Sequence, residues 1–164
     1  MIYREELHLE SKGGLPTFHN VTSDTRRVVD KAGIQNGIVV VYSHHTTCGV
    51  LIDESAFDLT SNGLETLQQD FLDALEKIMP TFREAGMYRH PGPKALKFGE
   101  EHGEDEKSCR NTDAHLRAAL VGKSETIVVM DGKLDLGEFG NIYFIDFDQT
   151  RARKRTVQIQ VMGE

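Results

Sequence analysis

Two adjacent imidazoles, a thiol and two carboxylates crowd the stretch from Gly37 to Glu54, GIVVVYSHHTTCGVLIDE. Neutral imidazole binds divalent metals and exchanges protons near neutral pH. A thiolate is a nucleophile, and a carboxylate serves as base or metal ligand. His44, His45, Thr46, Thr47 and Cys48 lie between the apolar run Ile38, Val39, Val40, Val41, Tyr42 and a second patch, Val50, Leu51 and Ile52. Asp53 and Glu54 follow directly. β-Branched runs bounded by glycine read as strands. Polar groups held between buried strands are costly unless they hydrogen-bond or bind something. Strands also fix side-chain geometry better than loops do. This stretch is the candidate site.

Two further histidines stand in distinctive settings. His90 ends Tyr-Arg-His and His115 ends Asn-Thr-Asp-Ala-His. With His45 they supply three imidazoles, the number that a catalytic zinc site uses beside its open position. No pair shows HxH, HExxH or HxxxH spacing, so ordinary hydrogen-bonded histidines are the alternative. Adjacent strand residues face opposite sides, so only one of Asp53 and Glu54 can point at the histidines. Glu54 is the candidate base, and a solvated strand end is the competing reading. Cys48 is a candidate nucleophile, although no Cys-His spacing supports it, and a buried inert thiol is the simpler reading. Arg151, Arg153 and Arg155 would share a face of an extended chain, and guanidinium forks suit phosphate. A solvated loop entering a strand would look the same. No Walker or dinucleotide fingerprint occurs, so nucleotide cofactors are not indicated.

These residues need elements to hold them. Ile2 to Leu9 alternates loosely and reads as an opening strand. Thr22-Ser23-Asp24 is an N-cap cluster for a helix carrying Val28, Val29 and Ala32 and stopped by Gly33. The spacing of Leu64, Leu67, Phe71, Leu75, Ile78 and Met79 gives a long amphipathic helix, capped by Ser61 or Asn62 and stopped by Pro80. Residues 81–110 show little periodicity and read as a long loop with an acidic cluster, Glu100, Glu101, Glu104, Asp105 and Glu106. Thr112-Asp113 caps a short helix from Ala114 to Val121. Strands follow at Thr126 to Met130, Lys133 to Leu136, Ile142 to Phe147 and Thr156 to Met162, with Asp131-Gly132 as a hairpin turn. The order predicts one α+β domain over residues 1–164, mostly antiparallel sheet with two or three helices.

The bulk numbers narrow the partners. A net charge of −7 argues against nucleic acid, which needs a basic surface. No apolar run approaches the length of a membrane span, and no signal pattern opens the chain. Two cysteines do not make a disulfide framework, which fits a reducing, cytoplasmic setting.

One resemblance covers almost the whole chain. His45-Thr46-Thr47-Cys48-Gly49, Ile52-Asp53-Glu54, Tyr88-Arg89-His90, Asn111-Thr112-Asp113-Ala114-His115, Asp131-Gly132-Lys133-Leu134, Leu136-Gly137 and Val161-Met162-Gly163-Glu164 resemble, in order, the signature series of the YjbQ-like family. The resemblance implies a β-sandwich-like α+β fold, a homotrimer, and a metal or anion site on His45, His90 and His115 with Glu54 close by. Zinc, magnesium and manganese are the candidate metals. His45, His115 and Glu54 are then the candidate catalytic groups. Thr46, Thr47 and Asn111, inside the matching motifs, are candidate substrate contacts beside Arg151 and Arg153.

The family is often labelled a secondary thiamine-phosphate synthase. That activity would join a pyrimidine diphosphate ester to a thiazole phosphate. A metal-dependent hydrolase of a small phosphorylated or acylated metabolite would use the same residues, and a non-catalytic trimeric binding protein is the third reading. The chain departs from the family at Asp53, where asparagine is usual, and at Phe139-Gly140, where Trp-Gln is usual. Its segment between His90 and Asn111 is also longer than in many members.

Overall fold

A computed structural model describes residues 1–164 as one α+β domain with eight strands and four helices. In chain order these are β1 (Ile2–Ser11), β2 (Thr17–Asn20), α1 (Thr22–Ala32), β3 (Gly37–Tyr42), β4 (Cys48–Glu54), α2 (Thr66–Ile78), α3 (Pro93–Glu101), α4 (Thr112–Val121), β5 (Ser124–Met130), β6 (Lys133–Leu134), β7 (Gly140–Asp146) and β8 (Arg153–Gly163). All strand pairs are antiparallel. They form a five-stranded sheet ordered β1-β8-β3-β5-β6 and a three-stranded sheet ordered β2-β7-β4.

The burial pattern explains why the two sheets stack. Val39 and Val41 of β3, Ile127 and Val129 of β5, and Val157, Ile159 and Val161 of β8 point to one side of the large sheet. They meet Val50 of β4 and Ile142 and Phe144 of β7, and α1 closes the same core with Val28, Val29 and Ala32. A second core lies on the far face of the small sheet, where Tyr143, Ile145 and Phe147 pack against Leu72 and Leu75 of α2 and Ala114 and Ala118 of α4. β7 is therefore buried on both faces. This is the physical reason its sequence runs Ile-Tyr-Phe-Ile without polar alternation.

Local chemistry sets the element ends. α1 stops at Gly33, which adopts the left-handed conformation (φ 65°). Asn20 accepts the Thr22 N–H at 3.1 Å and so caps α1 from two residues upstream. α2 begins at Thr66 rather than at Ser61 or Asn62, because Thr60 to Leu64 are spent on a turn closed by Thr60 Oγ1 donating to the Leu64 carbonyl at 3.0 Å. The cap is instead a reciprocal box between Glu65 and Gln68. The expected loop 81–110 contains a fourth helix, α3, which Pro93 opens at its first position after Gly92. β2 was absent from the sequence-based expectation, and β8 begins at Arg153, three residues before Thr156.

Candidate functional site

The turn between β3 and β4 carries the chain from the large sheet to the small one, so Ser43 to Thr47 bridge the two layers. Lys123, just before β5, ties this crossing down. Its Nζ donates to the carbonyls of His45, Thr46 and Cys48 at 3.2, 3.1 and 3.1 Å. Burial lowers the Lys123 pKa. The close approach of α4 is permitted by Gly49, where a Cβ would stand 2.8 Å from Val121 Cγ1.

The three sequence-predicted histidines do not converge as one set. His45 Nε2 accepts the backbone N–H of Thr156 at 2.9 Å, so its neutral ring carries the proton on Nδ1. That tautomer has no lone pair left for a metal. Burial lowers the His45 pKa, with help from Arg155 and His44, which holds the ring neutral. His90 and His115 are neighbours, their ring centroids 5.8 Å apart at 89°. The His90 backbone is fixed to α4 by Thr112 Oγ1, which donates to the His90 carbonyl at 2.5 Å. Burial, then His90, lowers the His115 pKa, and the Thr46 backbone works the other way.

No group of three His, Cys, Asp or Glu side chains comes close enough to hold a metal ion. Glu54 is also far from the histidines. It is exposed at the last position of β4, six residues along the strand from Cys48, or about 20 Å at ~3.3 Å per residue. Asp53 beside it is exposed as well. Cys48 is fully buried, and that burial pushes its thiol up to about 12. It is no nucleophile in this fold.

Arg151, just before β8, and Arg153 and Arg155 of β8 do share a region, but each faces acid. Arg155 Nε donates to Asp146 Oδ2 at 2.7 Å, and its Nη2 reaches Thr47 Oγ1 at 3.1 Å. Arg153 stands 3.6 Å from Asp148 Oδ2 and 4.0 Å from Glu104 Oε1, and Arg151 pairs with the other oxygen of Glu104. Asn111 Nδ2 donates to Asp148 Oδ2 at 3.2 Å. Gly13 shapes the Arg151 turn. Its φ is 73°, and a Cβ there would meet the Arg151 carbonyl carbon at 2.8 Å.

Of these groups Asn111, Arg153 and Glu104 line a cavity of about 290 Å³, together with His90, Phe98 and Cys109. Arg153 is among the lining residues, and its Nε is buried beneath that wall without a hydrogen-bond acceptor. A larger cleft of about 550 Å³, lined by Thr81, Phe82, Lys107, Arg110 and Asp113, shares the Asn111 wall but reaches none of the histidines. The chemistry points to the smaller cavity. Asp146, Asp148 and Lys123 were missed from the sequence. The signal for the first two was present, because acids inside the apolar run Tyr-Phe-Ile-Asp-Phe-Asp must be partnered when buried.

The family described as "UPF0047 protein YjbQ-like" matches residues 5–164. The chain belongs to this family. A UPF0047 protein of Methanothermobacter thermautotrophicus is 30% identical over 99% of this chain and 94% of its own length. YugU of Bacillus subtilis, also a UPF0047 protein, is 28% identical over 88% of each. Among solved structures, an uncharacterized conserved YjbQ/UPF0047 family protein from Clostridium acetobutylicum superposes with a TM-score of 0.72 at 29% identity, covering 96% of this chain and 99% of that one. A protein of unknown function from Sulfolobus solfataricus shares the fold, with a TM-score of 0.75 at 21% identity and 100% and 99% coverage. No helix is long and apolar enough to cross a membrane.

Proposed function

We propose that this chain is a hydrolase of small phosphate monoesters, with the cavity of His90, Asn111 and Arg153 as its site. The observation that carries the reading is Arg153, a lining residue of the same cavity as the His90 imidazole, whose buried Nε–H has no acceptor. An unmet buried donor is costly, and an anionic oxygen from a ligand would satisfy it. His90, which is exposed to solvent, takes the proton from the attacking water as the new P–O bond forms, and the leaving ester oxygen takes a proton from solvent as its P–O bond breaks. His115, edge-on with its ring centroid 5.8 Å away, flanks the His90 ring from the side.

The thiamine-phosphate-forming transfer asks more of the site, because departing diphosphate must be neutralised. Arg153 and Arg155 are already faced by the buried carboxylates of Asp148 and Asp146. This balance favours hydrolysis of a monoester over release of diphosphate.

Self-association belongs to the same proposal. Ile2, Met162, Ile38 and Val128 are cross-strand neighbours over four strands of the large sheet, on the face away from the core. Ile2 and Val128 are 69% and 52% exposed. A homotrimer would cover this row, and sedimentation equilibrium measures it.

The test of function is turnover of 4-nitrophenyl phosphate, whose leaving group departs without a proton and so isolates the base. The expected result is hydrolysis that falls about 10²- to 10⁴-fold in His90→Gln. No hydrolysis by the intact protein, with phosphate still bound, would leave a binding protein instead.

A further inference from the structure

The acidic cluster after α3 is not a uniform solvated run. Lys97 reaches Glu101 at 3.8 Å, and Arg110 pairs with Glu106. Glu104 alone turns inward, and its side chain is 31% exposed between two arginines of the strand-β8 segment. The turn that aims it is built by Gly103 (φ 76°), after which the Glu104 N–H donates to the Gly99 carbonyl at 2.9 Å.

The fit of this carboxylate is incomplete. One oxygen contacts Arg151 closely, while the other stays 4.0 Å from Arg153 Nη1. Neither reaches Arg153 Nε, which is left without an acceptor. Glu104 also lines the same 290 Å³ cavity as His90 and Asn111. A flat carboxylate on a mobile-length side chain thus covers a seat that offers more donors than it can use.

We propose that Glu104 is a built-in stand-in for the ligand's anionic group. It occupies the Arg151–Arg153 seat until a tetrahedral oxyanion displaces it. Displacement frees the two guanidinium groups for a group of about −2 charge, the charge of a phosphate monoester near pH 7. The tetrahedral anion has enough oxygens to take Arg153 Nε–H as well as both Nη groups, which Glu104 does not. Asp148, completely buried, stays 3.6 Å from Arg153. The proposal rests on the site assigned above, and it adds the class of ligand and a competitor supplied by the chain itself.

Inorganic phosphate is the probe, titrated calorimetrically into the full chain and into Glu104→Gln, Arg153→Ala and the double variant, with circular dichroism to establish that each is folded. Glu104→Gln removes the competing charge, so phosphate binds about three- to tenfold more tightly. Arg153→Ala weakens binding in both backgrounds. Glu104→Asp, which keeps the charge on a shorter arm, falls between wild type and Glu104→Gln. Unchanged or weaker binding in Glu104→Gln overturns the proposal, as does phosphate binding indifferent to Arg153→Ala or absent from every variant. Phosphate binding that follows this pattern while 4-nitrophenyl phosphate is not hydrolysed sinks the hydrolase reading alone.

Discussion

Arg155 grips Asp146 as a fork, with Nε 2.7 Å from Oδ2 and Nη2 3.3 Å from Oδ1. The carboxylate is completely buried and the guanidinium nearly so. Asp146 also accepts the Asp148 N–H at 3.0 Å, so the pair organises the start of the turn into β8. Arg155→Ala would leave a buried, unmatched carboxylate. The expected loss is about 3–5 kcal/mol in urea unfolding. A loss below about 1 kcal/mol would mean that water enters the gap and the pair is not the keystone of this turn.

That pair also shows what the sequence could and could not disclose. The alternation of Val157, Ile159 and Val161 and the Asp131-Gly132 turn gave β8 and the β5–β6 hairpin directly, because both signals are local. The YjbQ-like resemblance grouped His45, His90 and His115 with Glu54, with Asn111 as a substrate contact; the fold sets His90 beside His115 and in one cavity wall with Asn111. What failed was long-range. Nothing in the spacing of His45 reveals that its Nε2 is taken by Thr156, more than a hundred residues away. Glu54 follows the site stretch in sequence, but an extended strand carries it to the opposite end of the sheet. α3 was missed because its apolar positions, Ala95, Leu96 and Phe98, are too few to declare a period.

His115 should titrate below the 6.5 of a free imidazole, because burial opposes its charged form and His90 adds to that. Its neutral form then predominates at pH 7. The unfolded chain takes up this proton more readily than the folded one, so stability from His115 is complete above 6.5 and falls as pH drops toward the folded value. An NMR titration of the His115 ring with a midpoint at or above 6.5 would contradict this.

Glu76 has the opposite kind of site. Burial works against its charge, yet the Thr81 N–H and hydroxyl, Arg83 and Arg117 together lower its pKa to about 2. This stabilisation is present above the unfolded value near 4.5 and is lost as pH falls from there toward about 2. Glu76→Gln should therefore lower stability at pH 7 and flatten the acid limb of the melting-temperature profile. An acid limb as steep as that of wild type would remove Glu76 as its cause.

The two thiols should behave differently. Cys48 is completely buried with its pKa near 12, whereas Cys109 is partly exposed beside the site. A thiol reagent at pH 8 should label Cys109 alone in the folded chain and both residues in denaturant. Rapid labelling of Cys48 in the folded chain would show that the crossing between the sheets opens.

The central claim is that the cavity beside His90 receives an anionic oxygen on Arg153. ¹⁵N NMR of the Arg153 Nε–H during titration with a phosphate monoester tests it most directly. The expected result is a saturable downfield proton shift of that resonance, as an unmet donor gains an acceptor, accompanied by shifts of the His90 and His115 rings. If the Arg153 signal stays fixed while the ester binds elsewhere, or if no resonance moves, the anion site is not here and the proposed function falls with it.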